Sequence, residues 1–208
     1  KEVFFQVQNR EQTWLDMRAG DVVTGKSRLV WRETSDCWVE AGPEPVWVQD
    51  GAAFLWLSER DGYKHLYRFD RSGEAKGRLT KGEWQAKELV SVDEDADCAY
   101  VLADFDSKIE THLYRVPLSG GWNKKVERIT NGRGTHDVDM APDHKSFVTH
   151  WSDAETPGCV YLRDLEDKEL RAIAKSKPNL MTPFGMQFPE FLKVKTRDGY
   201  KHLYRFDR

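Results

Sequence analysis

Residues Arg60 to Arg71 read RDGYKHLYRFDR, and residues Arg197 to Arg208 read RDGYKHLYRFDR again. A twelve-residue identity at an offset of 137 does not arise by chance, so weaker copies are expected elsewhere in the chain. They are present. His65-Leu66-Tyr67-Arg68 returns as His112-Leu113-Tyr114-Arg115, 47 positions on, and more loosely as Cys159-Val160-Tyr161-Leu162 after another 47. Two further landmarks keep the same period. One is a turn followed by an aromatic-led apolar stretch, with the aromatics at Phe54, Tyr100 and Phe147. The other is a polar or basic stretch: Lys26 to Glu33, Lys76 to Gly82, Lys125 to Asn131 and Lys168 to Ala174.

Within each unit, β-branched and aromatic residues occupy short runs separated by Gly, Asp, Asn and Pro, and no 3.6-residue periodicity is sustained. The first complete unit is predicted to hold strands at Glu44 to Asp50, Ala52 to Glu59, His65 to Arg71 and Gly77 to Lys81. The second holds them at Lys87 to Asp93, Cys98 to Phe105, His112 to Leu118 and Lys125 to Thr130. The third uses Thr135 to Ala141, Ser146 to Ser152, Cys159 to Leu165 and Glu169 to Ala174. Val3 to Gln8, Gln12 to Arg18 and Ser27 to Glu33 form an earlier unit without its first strand. Four-stranded antiparallel units of this length define an all-β fold, a β-propeller of about four blades in this chain. The expected layout is an incomplete blade at 1–37, blades at 38–86, 87–134 and 135–187, and a closing C-terminal hairpin at 188–208. Neighbouring blades cover both faces of a strand, so Trp14, Trp31, Trp47, Trp56 and Trp151 are expected to pack between blades.

Bulk properties narrow the function. The 208 residues carry 32 basic and 35 acidic side chains, a formal net charge of −3, which gives no bias toward nucleic acid or an anionic membrane. The basic pair Lys124-Lys125 falls in a turn and is expected to be solvated. No apolar run is long enough to span a bilayer, so neither nucleic acid nor membrane is an expected partner. The chain opens at Lys1 in mid-pattern without Met or a signal peptide, which suggests an excerpt of a longer protein. Cys37, Cys98 and Cys159 lie at non-equivalent positions without CxxC spacing, and are expected as buried free thiols.

Candidate chemistry is sparse. His136, Asp137 and Asp139, with His144 and His150 nearby, are metal-ligand types, but in a strand Asp137 and Asp139 share one face while His136 takes the other, so no metal site is expected. His65, His112 and His202 recur at one blade position, as scaffold residues do. No GxSxG, GxGxxG or GxxxxGK[ST] pattern occurs. The glycines of Asn131-Gly132-Arg133-Gly134-Thr135 need only serve a turn. Asp36 and Glu40, near strand entrances, can line a channel without a defined acid/base separation. No catalytic residue, substrate-binding residue or cofactor is assigned.

Trp38 to Lys87, with GPEPVW, DGAAFLWLSERDGYKHLYRFD and LTKGEW, resembles the late blades of the N-terminal eight-bladed propeller of dipeptidyl peptidase IV-like serine peptidases, in the prolyl oligopeptidase group. FVTHWSDAETPGCVYLRDL, from Phe147 to Leu165, and the segment Phe188 to Gly199 are similar to the last blade and the first strand of the hydrolase domain that follows it. The resemblance implies a propeller that gates and walls the active site of an exopeptidase releasing N-terminal dipeptides. It also implies a covalently following α/β-hydrolase domain with a Ser, Asp and His triad, peptide substrates and a periplasmic or secreted parent. No residue here matches the triad or the family's substrate-holding glutamate pair, so the chain alone is expected to be non-catalytic. A stand-alone or designed propeller that serves as an interaction scaffold is the alternative.

The likeness breaks after Gly199 or Tyr200, where the chain returns to KHLYRFDR. Phe191 to Thr196, an Asp198-Gly199 turn and Lys201 to Asp207 are expected to form a hairpin able to complete the first unit. Four blades are half of eight, so two copies are expected to join head to tail around a two-fold axis into one eight-bladed ring.

Overall fold

The computed structural model describes residues 1–177, 185, 190–195, 197 and 201–206. Apart from one short 3-10 turn at Gly121–Asn123, its regular elements among the described residues are strands, and these follow the repeat. A three-stranded sheet joins β1 (Glu2–Gln8), β2 (Trp14–Asp21) and β3 (Ser27–Thr34) in that order. The second sheet runs β4 (Val46–Val48), β5 (Ala53–Ser58), β6 (His65–Asp70), β7 (Ala75–Arg78). The third runs β8 (Ala86–Asp93), β9 (Cys98–Ala103), β10 (His112–Pro117), β11 (Glu127–Arg128). The fourth runs β12 (Thr135–Met140), β13 (Ser146–Ser152), β14 (Cys159–Asp164), β15 (Glu169–Ala174). These are the antiparallel meanders of a β-propeller fragment of about four blades. β16 (Glu190–Lys195) pairs antiparallel with β17 (Lys201–Phe206) in a two-stranded sheet of its own. The Asp198-Gly199 turn expected between them lies outside the described residues. Among the described residues no helix is long and apolar enough to cross a membrane.

Several strand boundaries differ from expectation: β4 and β11 are shorter, and β2 and β7 are shifted. β2 begins at Trp14 rather than Gln12, because Gln12 takes a left-handed turn conformation, φ 56°. The Asn9 side chain closes that turn by accepting from the Thr13 and Trp14 amides. β7 covers Ala75–Arg78 rather than Gly77 to Lys81. The Thr80 hydroxyl accepts from the Leu66 amide at 2.9 Å, in place of the backbone carbonyl that a longer ladder would use.

That threonine belongs to a device repeated by the sequence. In the second sheet the His65 ring meets Thr80 Oγ1 through Nδ1 at 3.1 Å, and its Nε2 meets the Gly82 carbonyl at 3.0 Å. In the third, His112 Nδ1 meets Thr130 Oγ1 at 3.1 Å while Thr130 accepts from the Leu113 amide at 3.0 Å. A carbonyl can only accept, so His65 carries its proton on Nε2 and Nδ1 accepts from the hydroxyl. Each threonine thus ties its C-terminal strand to the histidine strand with one hydroxyl serving two buried partners. The tyrosine two places on is fastened in the same way. Tyr67 donates to Asp61, which also receives Arg78 at 2.8 Å. Tyr114 donates to Asp106, which also receives Arg128 at 3.3 Å. The fourth sheet keeps the position with other atoms, since the Cys159 sulfur accepts from the Ser176 amide at 3.3 Å.

The chain packs as two compact units, Lys1–Val101 with Val116–Val126, and Leu102–Arg115 with Glu127–Arg208. In the first, Leu15, Met17, Ala19, Val30 and Trp31 of the first sheet bury against Phe54, Trp56, Tyr67 and Phe69 of the second. Trp31 stands edge-on to Trp56 and Phe69 at 5.2 and 5.3 Å, and Trp47 lies 4.5 Å from Phe4 and 5.3 Å from Phe54. Trp31, Trp47 and Trp56 therefore pack between sheets, as their strand positions require. Trp14 instead lies under the Arg32 guanidinium, and Trp151 donates to the Arg133 carbonyl. In the second unit, Leu113, Tyr114, Val138, Phe147 and Cys159 are buried. A parallel bridge between Thr111 and Thr135 joins its two sheets. Gly134 sits beside that bridge because a Cβ there would come within 2.5 Å of the Ser152 carbonyl oxygen.

Candidate functional site

Within the first unit, a cleft of about 900 Å³ opens where the end of β3, residues 34–43 and the β5–β6 turn converge. Its floor is set by strand alternation. Glu33 and Ser58, at the ends of β3 and β5, are both buried. Ser58 Oγ donates to Glu33 Oε1 at 2.6 Å, and Arg60 donates from Nε to Ser58 Oγ at 2.8 Å. The other arm of Arg60 reaches Glu33 Oε2 at 3.5 Å. Its guanidinium also lies 5.1 Å from the Trp31 and Phe69 rings and 5.2 Å from Tyr67. Aromatic faces and one carboxylate thus hold this cation in place. Burial, then the Asp61 carboxylate, raises the Tyr67 phenol to about 12, so it remains a neutral donor.

Charged groups ring the mouth. Lys64 spans Glu40 at 3.3 Å and Glu59 at 3.5 Å, and Asp36, Cys37 and Lys87 complete the lining. Trp38, 69% exposed, stands at the edge. Asp36 and Glu40 therefore do share a cleft, as expected of channel-lining residues, but both are exposed. The hydroxyl of Ser58 is fully used, donating to a carboxylate and accepting from a guanidinium, and His65 is committed to Thr80 and Gly82. The arrangement can bind a polar chain but does not assemble a nucleophile with its base.

The other sequence candidates separate. His136 turns inward to Thr149 Oγ1 at 3.0 Å, whereas Asp137 and Asp139 are exposed and Asp137 opposes the exposed His150 across the strands. His144 occupies a turn at φ 53°. Among the described residues no three His, Cys, Asp or Glu side chains converge to hold a metal ion. The His202 side chain lies outside the described residues. Cys98 and Cys159 are buried free thiols, but Cys37 is exposed. Residues 35–45 form no strand, and within them Val39 turns into the core while Cys37 stands at the open cleft.

A buried polar cluster that the sequence did not advertise lies in the second unit. His112 Nε2 faces Glu110 at 3.2 Å, and the His112 and His136 rings stand 5.2 Å apart. Burial, then the adjacent His112 ring and the guanidinium groups of Arg163 and Arg128, lowers His136 to about 3. Burial also lowers His112, against the pull of Glu110. Both rings are therefore neutral at physiological pH. Nε2 of His136 has no hydrogen-bond partner among the described residues. His136 sits on a different strand position from His65 and His112, so the repeat could not mark it. Arg60, by contrast, opens the duplicated stretch and was legible as a repeated residue, though not as a cation held over aromatic rings.

Comparison with known proteins gives one consistent answer. The family model described as "Dipeptidyl peptidase IV (DPP IV) N-terminal region" matches residues 1–158. "Probable dipeptidyl peptidase 4" of Aspergillus flavus is 30% identical over 119 residues, 53% of this chain and 15% of that protein. Dipeptidyl peptidase 8 of Mus musculus is 24% identical over 180 residues, 72% of this chain and 20% of that protein. The crystal structure of Porphyromonas gingivalis dipeptidyl peptidase 4 superposes with a TM-score of 0.78 at 22% identity, covering 97% of this chain and 29% of that one. At that identity the superposition speaks for the fold. The chain spans about 15 to 20% of the length of these two curated relatives.

Proposed function

Since this chain belongs to the dipeptidyl peptidase IV N-terminal region family, we propose that it is the non-catalytic propeller part of an exopeptidase and walls the space through which a peptide reaches the active site. The observation that carries the reading is the cleft in which Glu33 and Ser58 hold Arg60, so that a fixed guanidinium and carboxylate share a lining with the exposed Trp38. Fixed donors and acceptors at the end of a rigid sheet hold an extended chain at low entropic cost. The purified chain should show no turnover of a chromogenic Gly-Pro substrate, because it supplies no activated nucleophile. A Gly-Pro-containing peptide should alter Trp38 fluorescence in the chain but not in an Arg60→Ala variant. Turnover blocked by a serine-directed inhibitor overturns the non-catalytic reading, and a fluorescence response indifferent to Arg60 overturns the cleft.

The partner we propose for the isolated chain is a second copy. On the face of the first sheet turned away from the second, Val3, Phe5, Val7 and Leu29 are 54, 40, 36 and 46% exposed. That sheet also has three strands where the next three have four. A face of this kind is covered when another blade stacks on it. Two copies arranged head to tail, with the hairpin of each beside β1 of the other, supply that cover. Light scattering should give twice the chain mass, and a folded monomer at tens of micromolar overturns the dimer.

A further inference from the structure

The copies of the HLYR motif on β6 and β10 differ in what faces their arginine. Arg115 on β10 is paired in register with Glu127 on β11, and its guanidinium meets that carboxylate at 3.4 Å. Arg68 on β6 is paired in register with Gly77 on β7. A Cβ placed on Gly77 would meet nothing within 4 Å, so the space above it is open. Arg68 is half-buried, and among the described residues its guanidinium meets no carboxylate. The neighbouring charges are already matched, Lys76 with Asp70 at 3.0 Å and Arg78 with Asp61 at 2.8 Å. Arg68 lines a cavity of about 510 Å³ together with Ala52, Ala53, Leu79, the Leu118–Gly121 turn and the already paired Asp70, Lys76 and Arg78. All of these residues belong to the first unit.

We propose that this cavity is a binding site for the carboxylate side chain of an acidic peptide segment, which takes in trans the place that Glu127 takes in cis. The chemistry is copied from the sister sheet. A planar guanidinium prefers a two-oxygen acceptor, and a partly desolvated one gains more from that pairing than an exposed surface pair does. Ala52, Ala53, Leu79 and Leu118 give the wall an apolar part that suits the short methylene stem of a glutamate. The fourth sheet has Leu162 at the corresponding position, so the fold does not require an arginine there. The site stands apart from the cleft of Glu33 and Arg60, and it holds whether or not that cleft faces a peptide.

The test is a titration of the isotope-labelled chain with N-acetyl-glutamyl amide, N-acetyl-glutaminyl amide and inorganic phosphate, followed by amide chemical shifts. Saturable shifts at Gly77, Gly120 and Gly121 are expected with the glutamyl compound alone. Arg68→Gln should weaken binding about tenfold or more through loss of a charge-assisted pair. Arg68→Lys, which keeps the charge and the stem but not the fork, should fall between. Near-UV circular dichroism confirms that both variants are folded. Equal affinity of the glutamyl and glutaminyl compounds overturns the proposal, as does a glutamyl affinity unchanged in Arg68→Gln. Phosphate binding more tightly than the glutamyl compound would show a general anion hole and overturn the carboxylate assignment.

Discussion

The second and third sheets carry the same four-residue motif and treat it in nearly the same way, which makes their differences informative. Both bury the leucine, both tie the histidine to a threonine, and both fasten the tyrosine to an aspartate shared with an arginine. They diverge at the ends of these networks. The outer nitrogen of His65 meets a backbone carbonyl, whereas that of His112 meets the Glu110 carboxylate beside a second histidine. Arg68 faces a glycine and Arg115 a glutamate. A duplicated motif thus preserves what holds a sheet together and varies what lies at its margins.

The sharpest test of equivalence is the core. Leu66→Ala and Leu113→Ala each empty a fully buried site, and each should cost about 2–5 kcal/mol by loss of transfer energy and by cavity formation. Urea midpoints measured side by side should agree closely, and a large gap breaks the analogy between the copies. Next come the threonines. Thr80→Val and Thr130→Val each strand a buried amide and a ring nitrogen, at a cost of about 2–3 kcal/mol. The corresponding Ser variants, which keep the hydroxyl, should recover most of it.

The third test separates the copies by acid. The folded values of His112 and His136 lie below the ordinary histidine value, so folding favours the neutral rings. Their contribution is complete above the unfolded value near 6.5. It is lost as pH falls from there toward about 3 for His136, because the unfolded chain then binds protons that the folded chain refuses. For His136 the cost is about 1.4 kcal/mol per pH unit, or about 2 kcal/mol at pH 5, and His112 adds to it in the same direction. Of the groups that face the pair, Glu110 and Asp106 raise His112 and temper this without reversing it, while Arg128 and Arg163 act in the same direction as burial. His136→Leu should flatten the fall in stability between pH 7 and pH 5. An equal fall in that variant would place the acid sensitivity elsewhere. The smallest effect belongs to the rim: Glu127→Gly removes an exposed pair and should change stability by under about 1 kcal/mol. It should also open at Arg115 a site like the one at Arg68, which the glutamyl titration can detect.

Repetition made the sheets legible from residues alone. Three independent landmarks on one period place strands to within a few residues, because a blade is a local meander whose turns are written in Gly, Asp and Asn. Where strand ends moved, at Trp14 and Arg78, a side chain had replaced a backbone partner, and hydrogen bonding by Asn9 or Thr80 leaves no periodic trace. The role of the repeated histidines as scaffold also followed from recurrence. The exposure of Cys37 did not, since burial of a residue outside any strand depends on what lies across from it.

The sequence by itself determined the all-β class, the blade-like units and the lack of a recognisable nucleophile motif, since each of these depends on residues close together in the chain. Tertiary structure alone decided that Arg60 sits over three aromatic rings and Glu33, that His112 and His136 stand 5.2 Å apart, and that Arg68 looks onto an open glycine. The physical reason is that each of these depends on register and packing between residues 7 to 29 positions apart, where a side chain's surroundings are set by which face meets which neighbour and not by its own flanking residues.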